Sequence, residues 1–222
     1  DCILLDVKTG SGAFMKTVGD SVKLAQEMVA IGENAGKRTV ALITDMDRPL
    51  GNYIGNSLEV IEAVQTLKGE GPQDLTTVCV DLAANMLYLA GKGSIEDCRK
   101  LAKQAIEDGS ALERLAAMVK AQGGNPEYIL HPEKFAKAAY SCEVKAPQDG
   151  YITHMDTQGC GIASVMLGAG RETKESTIDY AAGIILQAKT GEQVSRGQTI
   201  ATLYTEHEEL LEAATKRFLD SV

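Results

Sequence analysis

A glycine-rich turn near the start of the sequence has the residue types of a phosphate-binding loop. Residues 4–17 read LLDVKTGSGAFMKT, in which an apolar run precedes Gly10 and Gly12 and a segment that could begin a helix follows them. A dinucleotide-binding turn needs a third glycine where this chain has Met15, and the loop does not supply the Gly-Lys-Ser/Thr end of a nucleotide-binding phosphate loop. Two interpretations remain. The glycines serve only a strand-to-helix turn with positive φ, or the loop lines a ligand crevice at the carboxyl end of a parallel strand, with Phe14 projecting into it.

A second glycine-containing stretch, residues 45–63, has the residue types of a cation site. It reads DMDRPLGNYIGNSLEVIEA, and its backbone must bend at Gly51 and Gly55 before a helix that carries Glu62. Loop carbonyls that point to one position, together with a helix carboxylate, form the hard oxygen environment that alkali and alkaline-earth cations prefer. The alternative interpretation is a solvated glutamate beside a turn.

Alternating strands and helices must position both loops. Residues 2–7 and 39–46 are short apolar runs typical of strands buried in a parallel sheet. Residues 18–35 have the apolar spacing of an amphipathic helix that Gly36 ends, and Asn56 is a candidate N-cap for a second helix. This order of strand, helix, strand and helix predicts right-handed βαβ units in an α/β layer.

The character of the sequence changes twice after this layer. Residues 75–121 contain three helix-like stretches and nothing that reads as a strand, and residues 123–137 read as a connector rich in glycine and proline. Short β-like runs with glycine turns then follow until a last amphipathic helix at about 207–219. We therefore predict two domains, 1–137 and 138–222.

Two stretches of the second part are predicted to form hairpins. They are VKAPQDGYI at 144–152 and AKTGEQVSRGQTIATL at 188–203. Their pattern resembles the barrel-sandwich hybrid of biotinyl and lipoyl domains, but the segment between them has no carrier lysine in a Met-Lys-Met-like context. The predicted fold class is therefore mixed α/β, with a partial parallel-sheet domain and helices followed by a small β-rich domain like the barrel-sandwich hybrid.

Composition limits the function classes. The net charge of -9 and the pI near 4.9 leave little attraction for nucleic acid or an anionic membrane, so we expect neither as a partner. No apolar run of 18 residues and no signal peptide occur, which makes the cytoplasm the expected location. The chain opens on Asp1 and Cys2 directly before a strand-like run, and we expect it to be part of a larger protein.

Four stretches together resemble the thymidine and pyrimidine-nucleoside phosphorylase family, in order and with sensible spacing. They are LLDVKTGSGAFMKT, ALITDMDRPLGNYIGNSLEVIEA, SCEVKAPQDGYI and TIDYAAGIILQAKTGEQVSRGQTIATLYT. The resemblance covers essentially all 222 residues. It implies that residues 1–137 are the second segment of the family's α/β domain and that residues 138–222 are its carboxyl-terminal domain.

The resemblance also implies an activity. Family members are homodimeric pentosyltransferases that use inorganic phosphate as co-substrate to cleave uridine, thymidine or deoxyuridine into free base and (deoxy)ribose 1-phosphate. In the family, the phosphate loop and the Arg, Ser and Lys that grip the pyrimidine lie upstream of the DVKTGSGAF stretch. We therefore assign no catalytic residue and expect the chain alone to be inactive. His131, His154 and His207 fall outside the motifs and are expected at the surface.

The resemblance assigns two sites within this sequence. The Gly10 to Gly12 loop corresponds to the base-side wall of the cleft, where Phe14 would pack near the pyrimidine. A monovalent cation, potassium or in its place calcium, would be bound by the backbone carbonyls of Leu50 and Tyr53 and the carboxylate of Glu62, with its remaining ligands upstream.

Two alternatives remain beside a nucleoside phosphorylase. An anthranilate phosphoribosyltransferase-like enzyme shares the α/β domain, although the predicted β-rich domain after residue 138 argues against it. A non-enzymatic binding or carrier module of the biotinyl or lipoyl type would be built on that β-rich domain alone.

Overall fold

A computed structural model describes residues 2–171 and 173–222. The helices are α1 Val18–Asn34, α2 Asn56–Leu67, α3 Gln73–Leu89, α4 Ile95–Glu107, α5 Ser110–Ala121, α6 Glu127–Leu130, α7 Thr157–Ser164 and α8 Leu211–Leu219. The strands are β1 Cys2–Thr9, β2 Arg38–Asp45, β3 Tyr53–Gly55, β4 Tyr140–Lys145, β5 Gly150–Tyr151, β6 Gly183–Leu186, β7 Gln193–Val194 and β8 Thr199–Thr205.

The chain divides into two compact units. The first unit comprises Asp1–Asp47 and Gln65–Leu115, and the second comprises Arg48–Val64 and Ala116–Val222. The chain therefore crosses between the units once in the loop after β2 and twice within helices, α2 and α5. The sequence-based domain boundary between residues 137 and 138 stays a prediction.

The first unit contains the predicted parallel strands. Strands β1 and β2 pair in parallel, from Cys2 opposite Arg38 to Thr9 opposite Asp45. Between them runs α1, whose first turn is capped because the Thr17 hydroxyl accepts a hydrogen bond from the Asp20 N–H. This strand, helix, strand order confirms the predicted βαβ unit.

The helical stretch predicted for residues 75–121 is confirmed as α3, α4 and α5. The Ser94 hydroxyl accepts a hydrogen bond from the Asp97 N–H and so caps α4. After α4, Gly109 takes a φ of +78°, the left-handed conformation that ends many helices.

The second unit contains two antiparallel sheets. Four strands form one sheet in the order β3-β6-β8-β4, and β5 pairs with β7 in the other. Among the described residues no sheet closes into a barrel. The predicted fold class, a parallel α/β part with helices followed by a β-rich part, is confirmed.

The predicted hairpins are wrong in their pairing. Stretches 144–152 and 188–203 pair with each other, since β4 pairs with β8 and β5 pairs with β7. Helix α7 is a further difference, because it lies in a region predicted to hold only β-like runs. It continues into a π-helical segment, Val165–Ala169, whose Gly168 has a φ of +103°.

The core of the second unit lies between its sheets and helices α7 and α8. Its fully buried large side chains are Phe218, Met155, Leu167, Ile184 and Leu203. Phe218 comes from the last helix, which is predicted at about 207–219 and observed as a short 3₁₀ turn followed by α8. No helix in the described part of the chain is long and apolar enough to cross a membrane.

Candidate functional site

The glycine loop lies at the carboxyl end of β1, as predicted. Gly10 has a φ of +125°, and a Cβ atom there would lie 2.7 Å from the Asp47 amide nitrogen. Only glycine fits this position, because both the backbone conformation and the approach of Asp47 exclude a side chain. The loop is thereby held against the chain that follows β2.

Every backbone N–H group from Gly10 to Ala13 is engaged within the protein. The Gly10 N–H donates to the Met15 carbonyl at 3.0 Å, and the Ala13 N–H donates to the Gly10 carbonyl at 3.1 Å. The other two donate to the chain after β2: the Ser11 N–H to Asp47 Oδ1 at 2.6 Å and the Gly12 N–H to the Met46 carbonyl at 3.1 Å. A phosphate cradle needs amides that point at the ligand and a positive field. This loop does not offer such amides, since all four are already used and a carboxylate accepts one of them.

The side chain of Phe14 is directed to solvent. It is 91% exposed, although phenylalanine is usually buried. The loop that carries it is braced by Lys16, whose Nζ donates to the Ser11 carbonyl at 2.8 Å. An exposed aromatic ring on a braced loop is suited to stacking against a planar ligand, so the assignment of Phe14 to the base-side wall stays a prediction.

A polar cluster on β1 and β2 was not singled out from the sequence. Lys8 Nζ lies 2.6 Å from Asp6 Oδ2 and 3.0 Å from Thr44 Oγ1, and the Thr44 hydroxyl donates to Asp6 Oδ1 at 2.5 Å. Asp6 and Lys8 are two residues apart on a strand and so point to the same face. That alternation within the DVK sequence is the signal that could have identified them.

Glu62 is buried against the loop and is not a solvated glutamate. The residue is only 3% exposed. Its Oε1 accepts a hydrogen bond from the Asn52 N–H at 2.7 Å, and its Oε2 accepts one from the Tyr53 N–H at 3.3 Å. The carboxylate is therefore directed into the glycine-bent loop. Gly51, with a φ of +69°, makes room for it, because a Cβ atom there would overlap Glu62 Oε2.

The pairing of β3 gives the direction of the Tyr53 carbonyl. Asn52 accepts a hydrogen bond from the Leu186 N–H at 2.8 Å, so Asn52 faces β6. Residues of an antiparallel pair alternate between bonded and non-bonded positions, so the N–H and C=O of Tyr53 point to the other edge of β3. Glu62 lies on that edge, because it accepts the Tyr53 N–H.

The sequence-predicted cation ligands are thus brought together in part. Tyr53 and Glu62 are in contact, and Leu50, whose side chain is 37% exposed, directly precedes Gly51. The convergence of the Leu50 and Tyr53 carbonyls on one point with Glu62 stays a prediction. Phe14 belongs to the first unit and these three residues to the second.

Lys189 contacts this loop from a distant part of the sequence, and sequence reasoning did not identify it. Its Nζ donates to the Gly51 carbonyl at 2.7 Å across 138 residues of sequence. It lies in the turn between β6 and β7, where a lysine reads as an ordinary turn residue. Pairing across so many residues leaves no local signal in the sequence.

The oxygen donors present suit a hard cation. A buried carboxylate and backbone carbonyls are the ligands that potassium and calcium use. Clusters of three or more His, Cys, Asp or Glu residues that could hold a metal are absent from the described residues, but a site built mainly from carbonyls does not need such a cluster. His131, His154 and His207 are all exposed, as predicted.

Comparison with known proteins identifies the family. Residues 1–112, about half of the chain, match the glycosyl transferase family a/b domain. The chain belongs to this family. Residues 151–222 match the pyrimidine nucleoside phosphorylase C-terminal domain. The presence of both domains in one chain favours a nucleoside phosphorylase over an anthranilate phosphoribosyltransferase-like protein or a carrier module.

Related proteins agree with the two family matches. The pyrimidine-nucleoside phosphorylases of the Staphylococcus aureus strains RF122, USA300 and NCTC 8325 are each 47% identical to the chain over all 222 residues. The matched region is 51% of each relative, so the chain spans about half their length. The resemblance to the thymidine and pyrimidine-nucleoside phosphorylase family is confirmed.

Proposed function

We propose that the protein takes part in the reversible phosphorolysis of pyrimidine nucleosides. In this reaction inorganic phosphate attacks C1′ of the pentose of uridine, thymidine or deoxyuridine, the glycosidic bond breaks, and the free base and (deoxy)ribose 1-phosphate leave. The observation that carries the proposal is the 47% identity over 222 residues to proteins named pyrimidine-nucleoside phosphorylases. As in the family, we propose a cytoplasmic homodimer.

In the proposed reaction the glycine loop serves the pyrimidine and not the phosphate. The engagement of four consecutive loop amides and the position of the Asp47 carboxylate support this division. Phe14 stacks against the pyrimidine ring and restricts its orientation, and such positioning of reactants is a large part of the catalysis of group transfer. Phosphate is held by other groups.

A monovalent cation, potassium or in its place calcium, is proposed at the loop of the second unit. Glu62 and the carbonyls of Leu50 and Tyr53 would hold it. A bound cation supplies no acid or base here, since it only neutralises a buried carboxylate and fixes a loop. The burial of Glu62 and its orientation toward Asn52 and Tyr53 support this proposal.

A complementation assay tests the proposed activity. The 222-residue chain is mixed with the part of a Staphylococcus aureus relative that it does not match, and release of uracil from uridine is followed with and without phosphate. We expect uracil and ribose 1-phosphate in equal amounts, only when phosphate is present. The chain alone should release little uracil, because the loop at Gly10 has no phosphate cradle.

Two controls make the assay decisive. Size-exclusion chromatography of the mixture shows whether the two polypeptides associate, so that failed assembly is recognised as such and repeated with a covalent fusion. Phosphate-independent uracil release would indicate a hydrolase. An associated or fused pair that releases no uracil would contradict the proposal.

A further inference from the structure

The environment of the Gly51 carbonyl carries an inference beyond the proposed cation site. Lys189 Nζ donates to this carbonyl oxygen at 2.7 Å. The Cα of the same glycine contacts the Glu62 carboxylate, since an added Cβ atom would overlap Glu62 Oε2. Standard backbone dimensions then place the Lys189 ammonium within about 9 Å of that carboxylate.

The geometry points to Lys189 as a residue that makes this loop select a monovalent over a divalent cation. This inference rests on the proposed function, because it concerns the cation proposed at Glu62. Lys189 itself binds no substrate and no cation. Its role is to hold a fixed positive charge beside the site and to fix the carbonyl of Gly51 between two proposed ligands, Leu50 and Tyr53.

Electrostatics gives the direction of the effect. The repulsion between a fixed ammonium and a bound cation is proportional to the charge of the cation, so a divalent ion is penalised twice as strongly as a monovalent one. The attraction of the single carboxylate of Glu62 also doubles for a divalent ion, and the lysine offsets that gain. Because Glu62 is 3% exposed, solvent screens these charges less than it would at the surface.

The lysine has a second effect that does not depend on charge. By holding the Gly51 carbonyl, Lys189 fixes the peptide plane between Gly51 and Asn52, and the Asn52 N–H donates to Glu62 Oε1 at 2.7 Å. The carbonyl bond and the amide bond lie on opposite sides of one peptide unit. Arginine at position 189 keeps both the charge and the donor, whereas methionine keeps neither.

Thermal denaturation of the covalent fusion described for the complementation assay, which includes the upstream ligands, tests the inference in two salts. The melting temperature is followed while KCl or CaCl₂ is added at a constant low ionic strength set by choline chloride. The apparent affinity for each cation follows from the concentration dependence. We expect Lys189→Met to shift the ratio of calcium to potassium affinity toward calcium by about tenfold, and Lys189→Arg to leave the ratio near that of the unmodified fusion.

Lys145→Met is the matched control. Lys145 belongs to the same unit, and its Nζ donates to Thr199 Oγ1 at 2.7 Å instead of to the loop, so this variant should leave the ratio unchanged. Each variant is compared with itself in two salts, and a general loss of stability therefore cancels.

Three outcomes would overturn the inference. In the first, Lys189→Met leaves the ratio of calcium to potassium affinity unchanged, while Glu62→Gln abolishes the response to both cations. This result rejects the role of Lys189 but supports the cation site. An equal shift in Lys145→Met shows that any lysine of the unit acts in this way. No response of the unmodified fusion to either cation rejects the cation site together with the inference.

Discussion

The two units differ in what they bury. In the second unit, large side chains such as Phe218, Met155 and Leu167 are completely inaccessible to solvent. In the first unit, the side chains buried to that extent among the described residues are those of Ala84, Cys98 and Ser21. The second unit therefore has the larger apolar core, and the first depends more on small residues.

Large apolar side chains that are mostly exposed occur in both units, among them Tyr151 and Tyr180 in the second. Several large apolar residues of the first unit are mostly exposed: Phe14, Val18, Ile31 and Met86. Burial of apolar surface is the main favourable contribution to folding. The proposed base-side wall thus belongs to the unit whose fully buried side chains are small, and the proposed cation site to the unit whose fully buried side chains include large apolar ones.

Leucine truncation in each core should give the largest difference between the units. We expect Leu203→Ala in the second unit to lower the free energy of unfolding by about 4 kcal/mol, because Leu203 is fully buried. Leu89→Ala in the first unit should cost about 2 kcal/mol, since Leu89 is buried but borders an open cavity of about 530 Å³ that solvent can enter. Urea denaturation measures both values. Equal losses of unfolding free energy in the two variants would contradict the inference that the second unit has the larger apolar core.

Alanine at two glycines separates backbone strain from steric overlap. Gly51 and Gly36 have nearly the same φ, +69° and +71°, but an added Cβ atom would overlap Glu62 at Gly51 and would meet nothing within 4 Å at Gly36. We expect a loss of about 1 kcal/mol for Gly36→Ala and about 3 kcal/mol for Gly51→Ala. Thermal or urea denaturation serves as the measurement. If Gly51→Ala lowers the free energy of unfolding by no more than Gly36→Ala does, the added methyl group does not overlap Glu62.

Alkaline pH should destabilise the second unit through Cys160. Burial, with a smaller contribution from Asp156, raises the pKa of the Cys160 thiol to about 11. Because the pKa in the folded state is higher than in the unfolded chain, the contribution to stability is complete below the unfolded pKa and is lost as pH rises toward 11. We expect a loss of about 2 kcal/mol between pH 9 and 11. Cys160→Ala should remove that part of the pH dependence, and the same slope in the variant would contradict the assignment.

Phe14→Ala should have the smallest effect on stability and a clear effect on function. The side chain is 91% exposed, so the free energy of unfolding should change by less than about 0.5 kcal/mol. In the complementation assay we expect the KM for uridine to rise about tenfold, the size of one lost stacking contact with a base. Phe14→Tyr keeps the ring and should keep the KM. An unchanged KM in Phe14→Ala would remove Phe14 from the base-side wall.

The elements that the sequence predicted correctly are those with local signals. Strands β1 and β2 are apolar runs, α1 has a regular apolar spacing, and Ser94 precedes its helix as an N-cap should. The direction of Glu62 was one of two interpretations of the sequence, because a glycine at position 51 makes room for a helix carboxylate without requiring it. In each case the deciding interaction joins residues that are close in sequence.

The features that were missed depend on contacts distant in sequence. Helix α7 contains Gly159 and Gly161, which disfavour a helix, yet Gly159 packs closely on Ser221 at the end of α8. The Asp156 N–H donates to the Ser221 carbonyl at 2.7 Å and further fixes the start of α7. The pairing of β4 with β8 and the bond from Lys189 to Gly51 also cross long stretches of chain, and a single sequence carries no local signal for them.

An NMR titration of the glycine loop tests directly whether this loop faces the pyrimidine or the phosphate. Backbone amide resonances of Gly10 to Phe14 are followed in the 222-residue chain while uracil or inorganic phosphate is added. If the loop is a base-side wall whose amides are already hydrogen-bonded, uracil should shift the Phe14 resonances and phosphate should leave the loop unchanged. Phosphate-induced shifts at Gly10 to Ala13, with no response of Phe14 to uracil, would contradict it.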